Sequence, residues 1–171
     1  NITNHAYFNL GDDSCESLDL QLAAKNILER KDNSAPSGFI LPVKNTDFDF
    51  SKITNIGQKQ ANFTDANLQQ MACFDHCYIL DNNEITTSKV TLISKNNTVK
   101  MSLYTDQLAI QLYTGIDLAG NFIAYQGVCL EAQGYSNAVN AAHFPTSILQ
   151  PGEEYQRKII YHFESFEGNL T

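Results

Sequence analysis

Basic residues are scarce. Eleven Lys and Arg stand against 19 Asp and Glu, a formal net charge of −8, and they are spread thinly along the chain. A nucleic-acid binder needs a basic patch to track phosphates, so no nucleic-acid partner is expected. Long apolar runs are missing too. None approaches the ~20 residues that a helix needs to cross a bilayer, and no membrane partner is expected. No charged stretch followed by an apolar core opens the chain, so no signal peptide is read there. Tryptophan is absent, and the four prolines and nine glycines do not gather into a linker. The four cysteines (Cys15, Cys73, Cys77 and Cys129) have scattered spacings. Cys73 and Cys77 bracket Phe74-Asp75-His76, with no second Cys/His pair to complete a zinc site. Free thiols in a reducing, cytoplasmic compartment are expected, with no metal and no cofactor.

What is present is period-two alternation. Leu18, Leu20 and Leu22 alternate with Asp19, Gln21 and Ala23. Val90 and Leu92, Val99 to Leu103, Leu108 to Leu112 and Tyr155 to Phe163 repeat the pattern. These read as half-buried antiparallel strands. Asp81-Asn82-Asn83, Asn96-Asn97, Leu118 to Asn121 and Pro151-Gly152 read as turns between them. Lys52 to Gln60, Asp65 to Met71 and Ser136 to Ala142 read as loops with a turn of helix. With 171 residues and 43% hydrophobic content, the expectation is one all-β domain over 1–171. Its form is an antiparallel β-sandwich of two packed sheets.

Some strand positions carry ionisable groups among apolar neighbours. They are His5, Asp75, His76 and Glu131. Such a group is costly unless paired or used. Brought together, a histidine and two carboxylates would make a proton-transfer site. Alternation puts Gln111 and Tyr113 on one strand face, and Cys129, Glu131 and Gln133 on another. Those faces suit a polyhydroxylated ligand, with amides and carboxylates for hydroxyl pairs. A plain solvated outer face is the other reading of the same alternation.

The segment Asn1-Ile2-Thr3-Asn4-His5-Ala6-Tyr7-Phe8-Asn9-Leu10 resembles the N-x-T-N-H-S/A-Y-F-N-L segment of the aldose 1-epimerase (galactose mutarotase) family. Ala35 to Gly38, Thr46 to Phe50, Phe74-Asp75-His76, Leu103-Tyr104-Thr105 and Gln111 to Gly115 are similar to later family motifs. Val128 to Gln133, Phe144-Pro145, Ile148-Leu149 and Pro151-Gly152-Glu153 resemble its closing block. The motifs run in order over essentially the whole chain. The resemblance implies a large β-sandwich with a sugar site on a concave sheet face. It implies His5 as general acid and Glu131 as general base. Asp75 and Gln111 are implied to hold sugar hydroxyls, and Asn4 joins them as substrate-binding. The family's site arginine and an earlier histidine fall upstream of the first motif, so the match is to the C-terminal half of a family member. Weak or absent turnover is expected of residues 1–171 alone, with open sheet edges that favour association. Ile116-Asp117 replaces the family's Asn-Phe, which should reshape the rim of the site.

The implied reaction interconverts the α and β anomers of a free hexose such as galactose or glucose. One group takes the proton of the anomeric hydroxyl while another, facing it across a gap wide enough for one sugar ring, protonates the ring oxygen. Asp75 is expected to keep His5 charged by proximity. Tyr7-Phe8 and Tyr113 are read as an aromatic platform for the sugar, and His76, His143 and His162 as structural. A hexose 6-phosphate would need a basic cluster, for which Lys25, Arg30 and Lys31 are the few candidates. A non-catalytic carbohydrate-binding or regulatory relative is the competing function, and a purely structural β-domain the third.

Overall fold

Alternation along the chain becomes two antiparallel sheets. The computed structural model describes residues 1–31, 35–96 and 98–165. Among them are the strands β1 (Tyr7–Phe8), β2 (Asp19–Leu22), β3 (Ala24–Arg30), β4 (Pro36–Pro42), β5 (Thr54–Asn55) and β6 (Asp75–Leu80). The rest are β7 (Val90–Ile93), β8 (Val99–Thr105), β9 (Ala109–Tyr113), β10 (Val128–Gln133) and β11 (Ile159–Ser165). One sheet runs β1-β10-β9-β6-β3-β4, the other β11-β8-β7-β2-β5. Part of the expected turn at Asn96-Asn97 lies outside the described residues.

Alternate side chains from both sheets enter one core. Leu20 and Leu22, Val90 and Leu92, and Met101 and Leu103 come from the five-stranded sheet. They meet Ile27, Tyr78, Ile110, Leu112, Val128, Leu130 and Ala132 from the six-stranded one. Each such aliphatic side chain, fully buried, stabilises the fold by roughly 1.5–3 kcal/mol. The expected sandwich is therefore observed.

The other face of the six-stranded sheet is half covered. Leu28, Cys77 and Ala109 on it pack with Ala138 and Phe144, flanked by Tyr135 and Ala141. This leaves the far ends of β3, β6, β9 and β10 open.

The expected helical turns are α1 (Ile56–Gln60) and α2 (Ala66–Met71), with a single 3-10 turn at Ala138–Asn140. Asn55 caps α1 through the Gln58 amide, and Asp65 caps α2 through the Asn67 and Leu68 amides.

One strand boundary and two whole strands differ from the reading of the sequence. Pairing of the last strand starts at Ile159, not Tyr155. The residues before it are held by side chains instead: Gln107 donates to the Tyr155 hydroxyl at 2.8 Å, and the Lys158 amide to Asp106 at 2.9 Å. β3 and β4 were not legible as strands. β3 has register shifts at both ends, between Ala24 and Asn26 and between Leu28 and Arg30, and these break its alternation. β4 carries Pro36 and Pro42, which fit an edge strand that pairs on one side only.

Candidate active site

Strand parity sets the site. Ile110, Leu112, Val128 and Leu130 face the core, so Gln111, Tyr113, Cys129 and Glu131 turn the other way. Register puts Glu131 beside Gln111 and Cys129 beside Tyr113. Asp75 lies beside Tyr113 from the other flank, and Tyr7 beside Cys129. Four strands thus bring these side chains to one open face.

His5 reaches that face from the segment before β1. The Thr3 hydroxyl donates to the Ala132 carbonyl at 2.8 Å, and the Gly134 amide donates to Asn1 at 2.9 Å. These bonds tie the segment along β10. The His5 Nε2 then lies 3.5 Å from Glu131 Oε1. Its Nδ1 lies 3.2 Å from Cys129 Sγ, and its ring centroid 5.3 Å from that of Tyr7. The His5 side chain is 54% exposed and that of Glu131 10%. The two groups were expected to stand apart by the width of one sugar ring. They are in direct contact instead, because an exposed imidazole at a sheet edge closes onto a poorly hydrated carboxylate.

Asp75 is held from two sides. Gln111 Nε2 donates to its Oδ1 at 2.6 Å. Arg30 Nη1 ion-pairs with its Oδ2 and donates to its backbone carbonyl at 2.8 Å. Among the described residues no hydrogen bond or ion pair joins Asp75 to His5, so the expected charge support for His5 is corrected: the partner of Asp75 is Arg30. Lys25 pairs with Asp81 at 3.8 Å near the other end of β3, so Lys25 and Arg30 do not form a phosphate cluster.

Asn4 has its side-chain oxygen committed to the Ala6 amide at 3.0 Å and the Tyr161 hydroxyl at 3.4 Å. It shapes the turn that delivers His5, and no hydrogen bond joins it to Asp75, Gln111 or Glu131 among the described residues. Of the aromatic platform, Tyr7 and Tyr113 meet edge to face at 6.3 Å. Phe8 is corrected. It is the next residue on β1, so it points inward and packs on Tyr161 at 5.1 Å. Asp117 bonds the Tyr113 hydroxyl through its carboxylate and its amide, at 3.0 and 2.9 Å, so this departure from the family motif does set the rim. His76 lies on the core side. Its Nδ1 accepts from the Asp75 amide and its ring packs on Phe48.

Burial pushes Glu131 above the ordinary carboxylate value, with His5 opposing the shift and Asp75 adding to it. Burial likewise pushes the Cys129 thiol up to about 12, helped by the Glu131 charge. Burial pulls His76 down to about 4, which leaves it neutral. The site therefore offers a carboxylate of raised proton affinity, a solvent-facing imidazole and a second carboxylate braced by an amide and a guanidinium. Among the described residues no three His, Cys, Asp or Glu side chains are placed to share a metal ion.

The roles of two members of the site went unread in the sequence, Arg30 and Cys129. Arg30 was read only as a candidate for a phosphate, because its strand was not seen. Cys129 was placed on the right face, but nothing in one sequence pairs it with a residue 124 positions away. The depression beside Arg30, Asp75 and Gln111 holds only about 80 Å³, below the ~300 Å³ where small-molecule pockets begin. A cavity of about 660 Å³ lies elsewhere, lined by Lys25, Lys44, Lys52 and Lys59.

A family model described as aldose 1-epimerase matches residues 1–162. Galactose mutarotase from Sus scrofa is 31% identical over 95% of this chain and 49% of its own length. Aldose 1-epimerase from Escherichia coli K12 is 26% identical over 95% of this chain and 50% of its own. Among solved structures, an aldose epimerase homologue from C. elegans superposes with a TM-score of 0.84 at 26% identity, covering 95% of this chain and 50% of that one. Galactose 1-epimerase from Lactobacillus acidophilus superposes with a TM-score of 0.82 at 30% identity, covering 95% and 48%. The chain spans about half the length of the relatives it matches. A matching family model over nearly all of the chain, and the same two-sheet fold in its relatives, place it in the aldose 1-epimerase family.

Proposed function

We propose that the protein is an aldose 1-epimerase that opens and recloses the ring of a free hexose such as galactose or glucose. Glu131 takes the proton of the anomeric hydroxyl and His5 Nε2 gives a proton to the ring oxygen. The C1–O5 bond breaks, the aldehyde turns about C1–C2, and the ring closes on its other face with the proton transfers reversed. Asp75 and Gln111 hold hydroxyls away from the reacting carbon. The 3.5 Å approach of His5 Nε2 to Glu131 Oε1 on an open sheet face carries this reading. Desolvation of Glu131 supports it, since a carboxylate of raised proton affinity is a better base near neutral pH. The sugar enters by parting the pair. His5 gives way, because it sits on an exposed edge segment while Glu131 is fixed within β10.

Polarimetry of freshly dissolved α-galactose tests the proposal, on a polypeptide that supplies the upstream half of the family fold together with residues 1–171, since these residues alone are expected to turn over weakly. Glu131→Gln should slow mutarotation by about 10²–10⁴-fold, the usual worth of a positioned base. Unchanged rotation rates in that variant would sink it. Tyrosine fluorescence that responds to galactose with no gain in rotation rate would assign the competing reading, a carbohydrate-binding relative without turnover.

A further inference from the structure

The imidazole of His5 has a partner on each nitrogen. Glu131 lies 3.5 Å from Nε2, and Cys129 Sγ lies 3.2 Å from Nδ1. Cys129 is fully buried and pairs through its backbone with Tyr7, so the strand ladder fixes where its sulfur stands. His5 is mostly exposed and follows.

We propose that Cys129 is the positioning residue of His5: its thiol holds Nδ1 and leaves Nε2 as the nitrogen that exchanges protons with the sugar. This deepens the epimerase reading and rests on it only for the word sugar. A thiol suits the place because it can work both ways. Its S–H donates to a bare Nδ1 when the ring is neutral, which keeps the ring proton on Nε2. When the ring is charged, the sulfur accepts from Nδ1–H, and the S–H turns to the His5 carbonyl, 3.9 Å away. No proton leaves the sulfur in either state. Burial beside Glu131 holds the thiol protonated across the neutral range. A carboxylate in the same place would add a second negative charge beside Glu131. The other titratable groups around the sulfur and the ring are Tyr7 and Tyr161, both phenols raised by burial and neutral in that range.

The consequence is a defined tautomer and a fixed ring plane. Without the thiol, the ring can rotate about its side-chain bonds and present either nitrogen to solvent. Loss of one neutral hydrogen bond should lower the ratio of the Nε2–H to the Nδ1–H form about fivefold.

The test reads the ring directly. Long-range proton–nitrogen NMR on the 15N-histidine protein, above the pH where His5 loses its charge, should show the Nε2–H tautomer. Cys129→Ala should lower that tautomer's excess about fivefold, and Cys129→Ser, which keeps a donor of similar size, should restore most of it. In polarimetry Cys129→Ala should lower kcat about tenfold with little change in KM, and the serine variant should recover it. An Nδ1–H tautomer in the wild type, or equal tautomer ratios in wild type and Cys129→Ala, would overturn the proposal. A tautomer that depends on Cys129, in a polypeptide that also carries the upstream half and still shows no mutarotation, upholds the positioning role and overturns the epimerase reading instead.

Discussion

Glu131 shows how one strand position links stability to chemistry. Its pKa is raised above the usual 4.5, chiefly by burial. Between the unfolded value and the raised folded one, the folded protein holds a proton that the unfolded chain has lost. Stability therefore falls as pH rises through that window, and at neutral pH the buried charge is a standing cost. Glu131→Gln removes the ionisation while keeping the shape. The variant should be much slower yet more stable than wild type at neutral pH, and the difference should vanish in acid below the unfolded value. Urea titrations at the two pH values check this, and equal pH dependence in both proteins would contradict it. Arg30 is the opposite case, a cation already satisfied by Asp75. Arg30→Met leaves the Asp75 carboxylate with Gln111 alone. Losing a charge-assisted hydrogen bond costs about 1.5–3 kcal/mol, so KM for galactose should rise roughly 10–100-fold while kcat changes little. Arg30→Lys should recover only part of this, because both bonds come from the outermost nitrogen of Arg30, which the shorter lysine side chain does not reach as rigidly. Steady-state kinetics of the two variants decide the point.

At the scale of the element, legibility followed regularity. β9 and β10 are short strands without bulges. Alternation sufficed to turn Gln111 away from Leu112 and Glu131 away from Leu130, while the register that joins these faces to Asp75 was not in it. The first bulge of β3 broke the alternation, and with it went the strand and Arg30. Ile27 and Leu28 are both buried, one in the core between the sheets and the other under Phe144, so that run gives no period-two signal. Catalytic roles came from the resemblance; the residues alone offered only costly charges on strands. The connection between β9 and β10 holds a further constraint. Gly115 has φ +68, and a Cβ there would stand 2.5 Å from the Gly127 carbonyl. The Tyr125 amide also donates to the Gly115 carbonyl at 3.0 Å, so the loop is folded back on its own start. Gly115→Ala combines a disfavoured backbone with a clash against backbone, and should destabilise by about 1–3 kcal/mol. Since the loop ends Tyr113 and begins β10, the same variant should weaken sugar binding. Thermal melts and fluorescence titration measure both effects.

Across the whole molecule, strand order was the least legible property. His5 meets Cys129 across 124 residues, and no local pattern records such a pairing. Sheet ends are a second whole-molecule property, and they carry a prediction. β4 and β11 each close a sheet and pair on one side only. β4 presents Phe39 at 67%, Ile40 at 45% and Leu41 at 37% exposure, and β11 presents Ile160 at 48% and Phe163 at 51%. Unpaired edges with apolar side chains recruit further strands. The 171-residue chain should therefore associate as its concentration rises, with sedimentation velocity as the measurement. Its net charge of −8 opposes that association, so added salt should strengthen it by screening. A positive side chain on an edge blunts strand addition but also reduces the net charge. Ile40→Glu avoids that ambiguity, because it burdens the β4 edge and adds to the repulsion at once. If β4 is the associating edge, Ile40→Glu should abolish the association and Ile160→Glu should leave most of it. The reverse result would move the contact to β11. A wild-type chain that stays monomeric at high concentration and high salt would contradict the prediction for both edges.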